Sequence, residues 1–171
     1  SLHDALPIYH DEDARRRRRE IVVHDARDLE DVVLEDAERV GHREHQRGHV
    51  FGGHAGDLAS TVLLATTRLT GDLSETTKAF ELAVINALLH NRDDHAKNIA
   101  YCLNEHRQWK LAPVFDVTYS NGPGGEHSTS YAGEGRRPKR EHLLQVAKVG
   151  GVKEKLAIEI LDNWLEALSS L

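Results

Sequence analysis

At 171 residues, with 39% hydrophobic and 29% charged side chains, the chain is long enough for one domain with a buried core or for part of a larger one. A net charge of -6 argues against a general nucleic-acid binder. No apolar run has the length to span a bilayer, the N-terminus lacks the basic-then-apolar pattern of a signal peptide, and the lone Cys102 excludes an internal disulfide and fits a reducing cytoplasm.

The front third has its own texture. Residues 1–57 carry nine arginines against 14 acidic residues, seven of the 12 histidines, and no lysine or asparagine. Residues 58–171 are nearly neutral at -1. The opening "SLHDALPI" (Ser1–Ile8) resembles a translated short-read sequencing adapter and is read as a cloning or assembly scar. Acidic residues flank Arg15–Arg19 on both sides, which argues against a phosphate-binding run. His42, His45, His49 and His54 match no Cys/His spacing of a zinc module. Leu29, Val32, Val33, Ala37 and Val40 follow helical spacing, but a surface helix there would not show a function. The expectation is an unrelated or non-native leader over 1–57 and a domain over 58–171.

From Leu58 the pattern is that of a folded protein. "STVLLATTRLTG" predicts a helix ending near Gly71, and Ser74 is the expected N-cap of "ETTKAFELAVINALLHN". Phe80, Ala83, Val84, Ala87 and Leu88 recur at three- and four-residue spacing, which marks one buried stripe. The helix should stop near Asn91. "IAYCL" (Ile99–Leu103) and "QWKLA" (Gln108–Ala112) are β-prone runs around the turn-forming "NEHR" and predict a hairpin, with Cys102 an inert buried thiol. "NGPGGEHSTSYAGEGRRP" reads as a long loop of the kind that often carries function. Pro138 should open a helix through "KREHLLQVAKV", closed by Gly150 and Gly151. A last helix near 152–170 places Leu156, Ile160, Trp164 and Leu168 on one face, with Trp109 and Trp164 in the core.

Between these elements stands "NRDDHAKN", with Asp93, His95 and Asn98 at i, i+2 and i+5, and Asp116 follows in "APVFDV" beyond the hairpin. Phosphoryl transfer from a nucleotide needs an acceptor hydroxyl held in line and divalent ions held against the phosphates. A carboxylate five residues before an asparagine suits the first task and begins the second. A further carboxylate past a hairpin reaches the ions from the other side.

"LLHNRDDHAKNIAYCL" followed by "WKLAPVFDVTYSNGPGGEH" resembles the C-terminal domain of HipA-like kinases, the serine/threonine kinase toxins of bacterial toxin–antitoxin pairs. The Asp-x-His-x-x-Asn order also occurs in lipid kinases of the phosphatidylinositol type. The resemblance covers 58–171. It implies a mainly α fold, the helical C-lobe of a protein-kinase-like fold with one short β-hairpin. It implies transfer of a phosphoryl group from ATP with Mg2+ to a protein substrate, in the cytoplasm, away from membranes and without direct contact to nucleic acid. An antitoxin bound to DNA is the implied partner. Position by position, Asp93 matches the catalytic aspartate and His95 the supporting histidine. Asn98 and Asp116 match the residues that bind metal and nucleotide. Lys97 belongs to the motif without an assigned role, and Asp94, at a variable position, is expected to face solvent.

A kinase of this kind also needs a glycine-rich loop over the phosphates and a lysine reaching them. "FGGHAGD" (Phe51–Asp57) has the glycines but neither the strands nor the lysine, and no lysine precedes Lys78. The expectation is a truncated copy, inactive alone. The alternative is a non-catalytic module that binds an antitoxin-like partner.

Overall fold

The computed structural model describes residues 20–22 and 57–170. The Ser1–Ile8 scar, the Arg15–Arg19 run, the helical spacing over 29–40 and the four histidines lie outside the described residues. Among those described are four helices, α1 (Leu58–Thr70), α2 (Leu73–Leu88), α3 (Arg140–Val149) and α4 (Glu154–Ser169). Three short strands accompany them: β1 (Glu20–Val22), β2 (Ala100–Leu103) and β3 (Trp109–Leu111). The domain is mainly helical, as expected.

α1 is central. Ala59, Leu63, Ala65 and Leu69 are buried together with Ser60 and Thr66, so nearly every face meets protein. It packs on α2, α3 and β3. Its buried threonine hydroxyls bond back to the carbonyl four residues earlier, Thr61 to Asp57 at 3.0 Å and Thr66 to Val62 at 2.7 Å, while the Ser60 hydroxyl donates to the Asp57 carboxylate. Gly71 ends the helix as predicted, its N–H donating to the Thr67 carbonyl. α2 buries Phe80, Ala83, Val84 and Ala87 as its spacing required.

Two sequence expectations shift by a residue or two. The N-cap of α2 is Asp72, not Ser74: the Asp72 carboxylate accepts from the Ser74 N–H at 2.9 Å and from its hydroxyl at 2.7 Å. Lys110 and Ser74 together hold the Asp72 carboxyl well below the usual range, Lys110 being the larger cause. On α4 the buried stripe is Ala157, Ile160 and Leu161, with Trp164 packed against it, while Leu156 faces out. α4 packs on α2 and α3, and its fully buried small Ala157 shifts the covered face away from the stripe read off the larger residues.

The hairpin forms with Tyr101 opposite Leu111 and Leu103 opposite Trp109. Asn104 closes it, its side-chain oxygen accepting from the N–H groups of His106 and Gln108. β1 adds a third antiparallel strand, with Ile21 opposite Tyr101. Tyr101 is fully buried and its hydroxyl meets Thr66 on α1 at 2.7 Å, which anchors the sheet to the helices. Cys102 is half-buried rather than buried, because it lies on the less covered part of β2. Trp109 and Trp164 are also half-buried, lying at the edge of the core. Buried Glu75 joins the two layers, accepting from Lys78 at 2.8 Å and from the Leu111 N–H at 3.0 Å.

Candidate functional site

The site is built where the loop after α2 meets the segment after β3. α2 ends because His90 turns left-handed (φ 53°), and the Asn91 N–H folds back to the Asn86 carbonyl at 2.9 Å. Residues 91 and 120 then pair side by side, with the Ser120 N–H donating to the His90 carbonyl at 3.1 Å. This pairing brings Asp116 back beside a loop from which the whole β2–β3 hairpin separates it in the chain.

Asn91 is the brace between them. Its buried side-chain amide donates to Asn86 Oδ1 at 3.0 Å and to the Asp116 carbonyl at 3.2 Å. Asp116 itself adopts a positive φ of 56°, uncommon for a residue with a side chain, though aspartate is among those that tolerate it. Holding its carbonyl fixes the direction from which its exposed carboxylate leaves the backbone.

Asp93 and His95 form a half-exposed pair, His95 Nε2 to Asp93 Oδ1 at 2.7 Å. Asn98 sits in a single 3-10 turn (Ala96–Asn98), and its side-chain N–H donates to the Asp93 carbonyl at 3.0 Å. That bond leaves the Asn98 amide oxygen available. His95, Asn98 and Asp116 line one cleft with Asn91 and Asp94, with about 480 Å³ of space including solvent at its mouth. Asp93 is not among the lining residues and is tied to them through His95 and Asn98. Lys97 is exposed.

The donors suit a hard divalent cation. The Asn98 oxygen and the Asp116 carboxylate are oxygen ligands, and neither has a hydrogen-bond partner among the described residues. Among those residues no group of three or more His, Cys, Asp or Glu side chains is placed to hold a metal. An ion here would rest on few protein ligands and would need water or another ligand to complete its shell.

Sequence reading misplaced Asp94. It is 5% exposed, not solvent-facing. Its carboxylate accepts from the Thr129 N–H at 3.0 Å and the Tyr131 hydroxyl at 2.6 Å, and meets His127 Nδ1 at 3.0 Å. The physical reason is the neighbouring segment "HSTSY", which the sequence showed only as part of a long loop and which folds back under the 92–95 loop. Asn91, His127, Thr129 and Tyr131 were likewise missed. The one local signal was the doubled aspartate: adjacent side chains leave the backbone in different directions, and a carboxylate that turns inward needs donors there.

A helical domain with a small sheet carries, at this loop crossing, a cleft whose lining is mostly apolar and includes His95, Asn98 and Asp116. The HipA-like C-terminal domain family matches residues 15–171, and the chain belongs to that family. The match reaches back past Leu58, where the sequence motifs begin, and includes β1. No curated protein matches the chain. No helix among the described residues is long and apolar enough to cross a membrane.

Proposed function

We propose that the chain is the C-lobe of a protein serine/threonine kinase, the toxin of a toxin–antitoxin pair, acting on a protein substrate in the cytoplasm with ATP and Mg2+. The observation that carries this reading is that His95, Asn98 and Asp116 share one cleft, with Asp93 bonded to His95, although the whole hairpin lies between Asn98 and Asp116 in the chain. In this reading Asp93 accepts and orients the substrate hydroxyl, and His95 holds Asp93. Asn98 and Asp116 hold Mg2+, which neutralises charge on the nucleotide phosphates. Substrate binding is the work of protein surface, not of nucleic-acid contacts.

Among the described residues no glycine-rich loop and no lysine lines the cleft, so these residues by themselves would supply half of a nucleotide site. The alternative, a non-catalytic module for an antitoxin-like partner, draws on Val114, Phe115 and Tyr119, apolar side chains 45–68% exposed beside Asp116. Mn2+ binding followed by electron paramagnetic resonance tests the first reading. Weak binding should tighten with ATP and be lost in Asp116→Asn and weakened in Asn98→Ala. Unchanged affinity in both variants would sink it. Mg2+-dependent ATP turnover by the 171-residue chain, lost in Asp93→Ala, would show that the chain is complete by itself.

A further inference from the structure

Two adjacent aspartates meet opposite fates in this loop. The Asp93 side chain is 51% exposed, whereas those of Asp94 and His127 are each 1% exposed. We propose that Asp94 is a positioning residue of the site: seated on the 127–131 segment, it holds the 92–98 loop so that the Asp93–His95 pair and Asn98 present correctly to the cleft. The functional part of this claim rests on the kinase reading; the mechanical part does not.

The side chains of His127, Ser128, Thr129 and Tyr131 all enter the clasp. Ser128 donates both its N–H and its hydroxyl to the Arg92 carbonyl at 3.1 Å, and its hydroxyl lies 3.4 Å from His95 Nε2. Thr129 gives its N–H to Asp94 Oδ1 and its hydroxyl to the Asp94 carbonyl. Tyr131, fully buried, gives its hydroxyl to Oδ2, and His127 stacks edge-on against it with ring centroids 5.3 Å apart. The Ser130 carbonyl accepts from the Ala59 N–H at 3.2 Å, so the clasp is fastened to the first turn of α1. One segment thus touches the exposed pair through Ser128 and the buried acid through three neighbours.

The Thr129 N–H and the Tyr131 hydroxyl both donate to Asp94 oxygens, and the His127 tautomer assigned from this network places its N–H on Nδ1, facing Oδ2. His127 Nε2 then has no partner among the described residues. Burial, followed by the Asp94 charge, pushes the Tyr131 hydroxyl well above its ordinary range, so it remains a donor at any physiological pH. A charge held by three donors in a dry setting tolerates little displacement. Because Asp93 and Asp94 share a peptide unit, any movement of the clasp passes directly to Asp93, and an ångström of misplacement at a reacting group costs on the order of 100-fold in rate.

The test uses the 171-residue chain with Asp94→Asn, which keeps the volume but turns Oδ2 into a donor facing donors. Tyr131→Phe serves as the milder change should the first fail to fold. Amide hydrogen exchange reads the mechanics through the N–H groups of His95, Asn98 and Ile99, each bonded within the loop at 2.9 Å. They should exchange faster by about tenfold or more while α4 amides stay unchanged. Mn2+ affinity in the presence of ATP reads the function and should fall by about tenfold although Asn98 and Asp116 are intact. Exchange that is unchanged, or faster to the same degree across the whole chain, overturns the proposal. So does Mn2+ affinity that Asp116→Asn abolishes and Asp94→Asn leaves alone. If Asp116→Asn changes nothing, it is the metal reading that fails, and the exchange result alone decides the role of Asp94.

Discussion

Gly122→Ala should damage this domain far more than Gly124→Ala, although both glycines have nearly the same backbone, φ 62° and 67°. A left-handed conformation costs a residue bearing a Cβ about 1–2 kcal/mol, and this applies to both. The surroundings differ. A Cβ at Gly124 would meet nothing within 4 Å. A Cβ at Gly122 would lie 2.6 Å from Arg92 Cβ, 3.3 Å from the Arg92 carbonyl oxygen and closer still to the Glu126 carbonyl. Two of these three atoms are backbone oxygens and the third is the first side-chain atom, so no flexible end is free to swing aside. Overpacking of this kind adds about 1–3 kcal/mol. The totals are then about 2–5 kcal/mol for Gly122→Ala and about 1–2 kcal/mol for Gly124→Ala. Against a typical stability of about 5–15 kcal/mol the first is severe. Urea denaturation followed by circular dichroism measures the difference, and thermal melting should register about 2–4 °C per kcal/mol in a chain of this size. The consequence reaches the site, because Arg92 precedes Asp93 and its carbonyl holds Ser128. Equal losses for the two variants would refute the close approach of the 116–126 segment to the 92–98 loop.

Gly150→Ala should cost about 1–3 kcal/mol, because its Cβ would stand 2.5–2.7 Å from Leu63 side-chain atoms where α3 meets α1, and Leu63 is fully buried. A urea midpoint at or above the parent's would show that the contact is looser than described. Asn91→Ala removes the brace on the Asp116 carbonyl and leaves Asn86 Oδ1 short of a donor, a loss of about 1–3 kcal/mol; ATP-supported Mn2+ binding should weaken as well, and a purely thermal effect would detach Asn91 from the site. Burial pushes the Tyr101 hydroxyl up to about 12, the bond with Thr66 offsetting part of the rise. The neutral form is thus favoured by folding: stability is intact below the unfolded value of about 10 and is lost as pH climbs from there through the folded value. Melting temperature followed between pH 9 and 12 should fall more steeply in the parent than in Tyr101→Phe, and identical slopes would argue against a buried hydroxyl.

Local signals in the sequence determined the helices and the hairpin. The stripe on α2, Gly71 beyond α1 and Asn104 in the turn each act within a few residues, where side-chain spacing and backbone geometry leave little choice. The order Asp93, His95 and Asn98 was legible for the same reason, at short spacing, whereas Asp116 was legible only from its place in "APVFDV" beyond the hairpin. Local signals did not reach the third strand, since both α1 and α2 lie between β1 and β2 in the chain and so short a run as Glu20–Val22 has no periodicity to show. Nor did they reveal the rotation of α4, where small Ala157 is buried and larger Leu156 is not. Above all, only the tertiary structure decided which of the two aspartates turns inward. Asp93 and Asp94 are chemically identical and adjacent, and what separates them is the set of donors brought from beyond the hairpin by Thr129, Tyr131 and His127. A carboxylate goes where its oxygens are satisfied, by solvent and His95 for Asp93 and by the donors of the folded chain for Asp94.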